Sequence, residues 1–99
     1  MSYRVRYSSA ARQDIKNLLA FLIKQDLNAA KSARLAIGQS IELLQTFPFS
    51  CRKASFENPF LRELVIPFGA AGYVALFDIE GSETVTILAV RHQREDDYH

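Results

Sequence analysis

A single cysteine, Cys51, leaves this chain without an intrachain disulfide or any multi-cysteine zinc site. A lone cysteine of this kind reads as a small buried hydrophobe rather than a nucleophile. The sequence also lacks a Walker loop, a Rossmann glycine pattern, a His-Glu-x-x-His helix and paired cysteines, so the usual signatures of nucleotide and metal enzymes are missing. Gly69-x-x-Gly72 by itself is only a turn. No apolar run approaches the roughly 18 residues of a membrane span, and Met1-Ser2-Tyr3-Arg4-Val5-Arg6 has no apolar leader character. The expected setting is the cytoplasm, with no membrane partner, no metal and no cofactor. Internal repeats, low-complexity tracts and linkers are absent as well, and 99 residues suffice for one domain over 1–99 with a modest core.

A large positive excess is missing too. The formal charge is +1, which disfavours a general nucleic-acid binder, because such affinity rests on neutralising many phosphates. The small total conceals an asymmetry. Residues 1–53 carry nine Lys and Arg against three Asp and Glu, whereas residues 54–99 carry three against eight. The basic half suits an acidic protein partner.

What is present is a run of clear periodicities. Tyr3, Val5 and Tyr7 alternate with Arg4 and Arg6, which predicts a strand with one buried and one basic face. Ser8 or Ser9 caps a helix in which Ala11, Ile15, Leu18 and Leu22 recur at helical spacing, with Asp14 near its positive end. That helix ends near Gln25. A three-residue turn, Asp26-Leu27-Asn28, leads to a second helix capped by Asn28, in which Ala30, Ala33, Ile37, Ile41 and Leu44 keep the spacing until Pro48 stops it. Ala29, Ala30, Ala33, Ala36 and Gly38 permit close approach of a neighbouring element, and Gly38 costs about 1 kcal/mol of helix propensity.

Residues 49–60 show neither period and read as the longest irregular connection. Residues 61–67, 73–79 and 84–91 read as strands joined by turns at 69–72 and 80–82, an antiparallel meander with 73–79 central. The expected architecture is α+β, in the order β-α-α-β-β-β, with a two-helix hairpin packed on one face of a small antiparallel sheet.

The densest polar stretch follows the last strand: Arg91-His92-Gln93-Arg94-Glu95-Asp96-Asp97-Tyr98-His99. Metal-free RNA cleavage needs a base, an acid and cations that hold phosphate, and His92, Arg91, Arg94 and Tyr98 include those types. The competing reading is a solvated terminus whose arginines pair with Glu95, Asp96 and Asp97. Arg52-Lys53 could add a phosphate clamp, though exposed basic pairs are common. An arginine such as Arg62 is expected to pair with a helix carboxylate, Asp14 or Glu42. Phe21, Phe47, Phe49, Phe56 and Phe60 are candidates to line an apolar groove for a partner's helix or strand, with about half of them expected to complete the core instead.

Several strings recur in a known order: Ala10-Ala11-Arg12-Gln13-Asp14-Ile15-Lys16-Asn17-Leu18-Leu19-Ala20-Phe21-Leu22, Leu43-Leu44-Gln45-Thr46-Phe47-Pro48, Leu61-Arg62-Glu63-Leu64-Val65-Ile66 and Gly72-Tyr73-Val74-Ala75-Leu76-Phe77. The most specific is Val85-Thr86-Ile87-Leu88-Ala89-Val90-Arg91-His92-Gln93-Arg94. Together they resemble the RelE/ParE superfamily of toxins from bacterial type II toxin–antitoxin systems over nearly the whole chain. The resemblance implies a growth-inhibiting toxin neutralised by a cognate antitoxin, with promoter DNA bound through the antitoxin and not by this chain. It implies two possible targets: DNA gyrase for ParE-like members, or messenger RNA in the ribosome for RelE-like, metal-independent endoribonucleases.

The ribonuclease members place basic side chains at positions matching Val65, Pro67 and Val74, none of which can bind or protonate a phosphate. Only the C-terminal element keeps the pattern. His92, Arg94 and Tyr98 would be catalytic in a ribonuclease, and Arg91, His92, Arg94 and Tyr98 would contact the target of a ParE-like toxin. A hairpin over residues 9–47 also resembles the longer helices of ParE-like members, so the expectation is a gyrase inhibitor of the plasmid-stabilisation type. A degenerate module that binds its antitoxin and nothing else is the third possibility.

Overall fold

The computed structural model describes residues 2–93. Strand β1 is Arg4–Tyr7, helices α1 and α2 are Ser9–Gln25 and Leu27–Glu42, and a two-residue strand β2, Arg52–Lys53, precedes β3 (Leu61–Phe68), β4 (Ala71–Glu80) and β5 (Thr84–His92). The order across the sheet is β1-β5-β4-β3-β2, with β1 parallel to β5 and every other pairing antiparallel. The chain therefore is α+β, with the meander read from the sequence and β4 central. The third to fifth strands extend a little further than their periodic cores, and β2 lies inside the segment expected to be irregular.

Both helices cover one face of the sheet, α1 over β5 and α2 over β3. Ala11, Ala33, Ile37, Ile41 and Leu44 meet Leu64, Ile66, Tyr73, Ala75, Phe77, Ile79, Val85, Ile87 and Val90 in one apolar core. Ala30 and Ala33 are buried, so the small residues of α2 do admit close packing, but Gly38 is not among them: a Cβ built there meets nothing within 4 Å.

The helix hairpin is tighter than its sequence suggests. Asp26, extended at φ −163° and ψ 109°, serves as the C-cap of α1 and the N-cap of α2. Its backbone N–H donates to the Leu22 carbonyl at 2.7 Å, and its carboxylate accepts from the N–H groups of Asn28 and Ala29. The cap is thus Asp26 instead of Asn28, and one residue replaces the expected three. A carboxylate accepting two otherwise orphaned N–H groups at the positive end of a helix outcompetes an amide two residues too late. At its other end α2 stops at Glu42, before Pro48, and a 3-10 turn, Leu43–Gln45, carries the buried Leu44.

A register shift at Leu76/Phe77 leaves Leu88 as the extra residue of β5. Helix α1 supplies partners there. The Ser8 hydroxyl, which caps α1 by accepting from the Ala11 N–H, donates to the Leu88 carbonyl at 3.1 Å. The Asp14 carboxylate accepts from the Val90 N–H at 2.9 Å. A bulge that would leave ladder groups unpaired is thereby tied to the first turns of α1, and the end of β5 is held against the helix.

Candidate functional site

Cross-strand partners share a face of a sheet, so the registers sort the side chains. Ile66, Tyr73 and His92 form one row toward the helices. Val65, Val74 and Arg91 form the next, on the face opposite. Two of the three positions that the resemblance matches to basic groups of ribonuclease members, Val65 and Val74, therefore lie in line with Arg91. Val74 is fully buried and Val65 is partly exposed.

Arg91 is not an isolated cation on this face. Its guanidinium lies 3.8 Å from Glu63, which also accepts from Arg52 Nε at 2.9 Å. Glu63 and Arg91 are both mostly shielded, at 15% and 12% side-chain exposure, whereas Arg52 is open to solvent. One carboxylate thus sits between two guanidinium groups, and its charge offsets much of the attraction either would exert on a phosphate.

His92 points the other way. Its ring meets Tyr73 edge-on at 5.9 Å, and it borders a cleft of about 320 Å³ formed with Leu18, Phe21 and Leu22 of α1 and the β3–β4 turn. Burial pushes the Tyr73 hydroxyl pKa above its ordinary value. Gly72 is obligatory beside it, because a Cβ there would run into the Ile66 carbonyl oxygen, and the Gln93 N–H donates to the Gly72 carbonyl at 2.8 Å. Arg91 and His92, grouped in the sequence reading, stand on opposite faces. Strand β5 runs through His92, one residue past the end expected at Arg91, so strand alternation separates the two side chains. Arg94 and Tyr98 lie outside the described residues.

The five phenylalanines do not divide between core and groove as expected. Phe21, Phe47, Phe49, Phe56 and Phe60 are all exposed, and none joins the core. Phe49 and Phe60 pair edge-on at 6.1 Å, whereas Phe21 borders the His92 cleft and Phe56 a separate hollow with Lys53, Ala54 and Ser55. The core closes without them because Leu44, Leu64, Ile66 and Phe77 already fill the space between α2 and the sheet.

Arg62 also departs from expectation. It pairs with neither Asp14 nor Glu42; its guanidinium donates to the carbonyls of Pro59 (2.7 Å), Phe49 (3.1 Å) and Cys51 (2.8 Å) and lies 5.2 Å from the centre of the Phe49 ring. Its work is structural: it ties the connection before β2 to the one before β3, using N–H groups that a phosphate would need. Cys51 beside it is half-buried, and burial raises its thiol pKa, an effect only partly offset by Arg62. That suits a packing role over a nucleophilic one. Among the described residues there is no cluster of three or more His, Cys, Asp or Glu that could hold a metal ion, and no helix long and apolar enough to cross a membrane.

Residues 5–97 match the family described as the ParE toxin of the type II toxin–antitoxin system parDE. Toxin RelE1 of Caulobacter vibrioides is 28% identical over 95 residues, covering 96% of this chain and 98% of the relative. Among solved structures, the fold is similar to a chain of the chromosomal ParDE toxin–antitoxin system of P. aeruginosa, with a TM-score of 0.72 at 17% identity over 92% of this chain and 96% of that one. It is also similar to a chain of the toxin–antitoxin complex RelBE2 of Mycobacterium tuberculosis, with a TM-score of 0.59 at 21% identity over 93% and 99% of the two chains.

Proposed function

The chain belongs to the ParE toxin family of type II toxin–antitoxin systems, and from that premise we propose that it arrests growth by binding DNA gyrase and is held inactive by a cognate antitoxin. The observation that carries this reading is the row Val65, Val74 and Arg91. Ribonuclease chemistry on that face would need basic groups to hold the phosphate and to move protons. Two valines occupy those places, and Glu63 offsets the cation that remains. His92, whose side-chain type is that of a general base, faces the helices. A binding surface needs no such convergence. Val65, the exposed residue of that row, beside the solvent-open Arg52 is a serviceable contact for another protein, because an apolar side chain excludes water while a guanidinium sets orientation.

A ribosome-dependent endoribonuclease is the second reading, favoured by the likeness to Toxin RelE1. It would have to assemble its site from Arg91 and the terminal Arg94 and Tyr98. An antitoxin as partner is supported by the family and by the two similar chains, both from toxin–antitoxin systems.

Purified protein added to a gyrase supercoiling reaction, and in parallel to a translating extract with primer-extension mapping of the message, separates these readings. Blocked supercoiling or trapped cleaved DNA with intact message is the expected result. Codon-positioned cleavage with normal supercoiling would overturn it in favour of the ribonuclease. No effect in either reaction, and no growth arrest on expression of folded protein, would leave a module that binds its antitoxin alone.

A further inference from the structure

The exposed side of α2 carries two features that the packing of one chain does not use. Leu35 is 64% exposed, and at Gly38, three residues on, the space where a Cβ would stand is empty to 4 Å. A glycine inside a helix weakens it relative to alanine, and a leucine left in water contributes no burial. The two border one shallow hollow of about 540 Å³, which Lys31, Arg34, Gln39 and Glu42 complete.

Helical geometry places Lys31, Leu35, Gly38 and Glu42 within a sector of about 60°, so they form one stripe along α2. Lys31 stands four residues before Leu35, and Gly38 four before Glu42, each a step of about 6 Å along the axis. Cation and leucine occupy the first half of the stripe, glycine and carboxylate the second. Turned end for end, the stripe therefore sets a leucine against a glycine and a cation against a carboxylate. Among the described residues neither Lys31 nor Glu42 is in an ion pair.

We infer that this stripe pairs with the same stripe of a second copy of the chain, the two α2 helices running antiparallel about a two-fold axis level with Ala36 and Ile37. Leu35 of each copy fills the hollow over the partner's Gly38, and Lys31, with Arg34 alongside, meets the partner's Glu42. A second copy presents the required order of groups by construction, which is the condition for an isologous contact. The missing Cβ lets the two backbones approach closely, and antiparallel helix dipoles attract. One helix pair buries less than the roughly 1,600 Å² of a standard interface, so the dimer is weak, with a Kd of about 10–100 µM. The pairing draws on α2 alone and holds whichever target the chain has.

Sedimentation velocity of the full chain, from concentrations well below that range to well above it, is expected to show monomer giving way to dimer. Lys31→Glu and Glu42→Lys, each alone, set like charges against one another at both ends of the contact and are expected to weaken the dimer by about tenfold or more. Their equimolar mixture restores opposite charges at both ends and is expected to associate as a heterodimer, a rescue that misfolding of either variant would not give. Gly38→Leu fills the hollow and is expected to abolish association, while its monomer melts cooperatively and no lower than dilute wild type, since leucine favours the helix over glycine. A monomer at every concentration, which would leave the stripe to a different protein, overturns the inference. So does a dimer that Gly38→Leu retains, or a mixture of the two charge variants that associates no better than either alone.

Discussion

On the helix-covered side of the sheet, Ile66, Tyr73, Ala75, Phe77 and Ile87 are buried to 3% exposure or less and belong to one apolar core. On the other side, the same strands carry the exposed Val65 and the buried Val74 beside Arg52, Glu63 and Arg91. The first face is committed to burying area, which in a chain of this size leaves little stability to spare. The second is shielded in part but holds charges that a stable core would exclude. The contrast sorts the two faces by what a substitution should do: changes on the helix side act on folding, and changes at the exposed positions of the other side leave folding largely intact.

The largest effect should come from Phe77→Ala. Removing the largest fully buried side chain should cost about 3–5 kcal/mol in chemical denaturation, a large share of the total for a small domain. Val65→Ala, at the exposed position on the other face, should cost less than about 1 kcal/mol. Equal losses for the two would erase the distinction between the faces.

Asp14→Ala is expected to come next. It strips the Val90 N–H of its acceptor at the β5 bulge, a loss of about 1–3 kcal/mol, with faster amide hydrogen exchange at Val90. Asp14→Asn keeps an acceptor oxygen and should recover most of that stability. If both variants exchange as slowly as wild type, α1 does not hold the end of β5.

Smallest in stability, and sharpest for function, is Glu63→Gln. The substitution removes the negative charge between Arg52 and Arg91; the pair with the exposed Arg52 contributes only about 0–1 kcal/mol, and the pair with the shielded Arg91 is long at 3.8 Å. With that negative charge gone, the face should, however, bind a fluorescent single-stranded RNA more tightly than wild type at low salt. An unchanged RNA affinity would show that Glu63 does not mask this face.

Much of this molecule was legible from periodicity. Ala11, Ile15, Leu18 and Leu22 mark the inner side of α1, and Ala30, Ala33, Ile37 and Ile41 that of α2, because helical geometry repeats every 3.6 residues whatever the fold around it. The apolar run from Tyr73 to Phe77 marked the central strand for the same local reason. The site was less legible. His92 and Arg91 looked like neighbours in a cluster, and only the register of β5 against β4 sends them to opposite faces. Five exposed phenylalanines could not be told from core residues, since apolar character says that a side chain can be buried and not whether room is left for it.

By itself, then, the sequence determined the order of the elements, their inner faces and the likeness to a toxin family, all of which rest on local spacing. The tertiary structure alone decided that Asp14 reaches Val90 across 76 positions, that Glu63 stands between Arg52 and Arg91, and that Arg62 is consumed by backbone carbonyls. Each is a contact between groups far apart in the chain or on separate elements. Such contacts depend on how the helices settle on the sheet, and no local period encodes that.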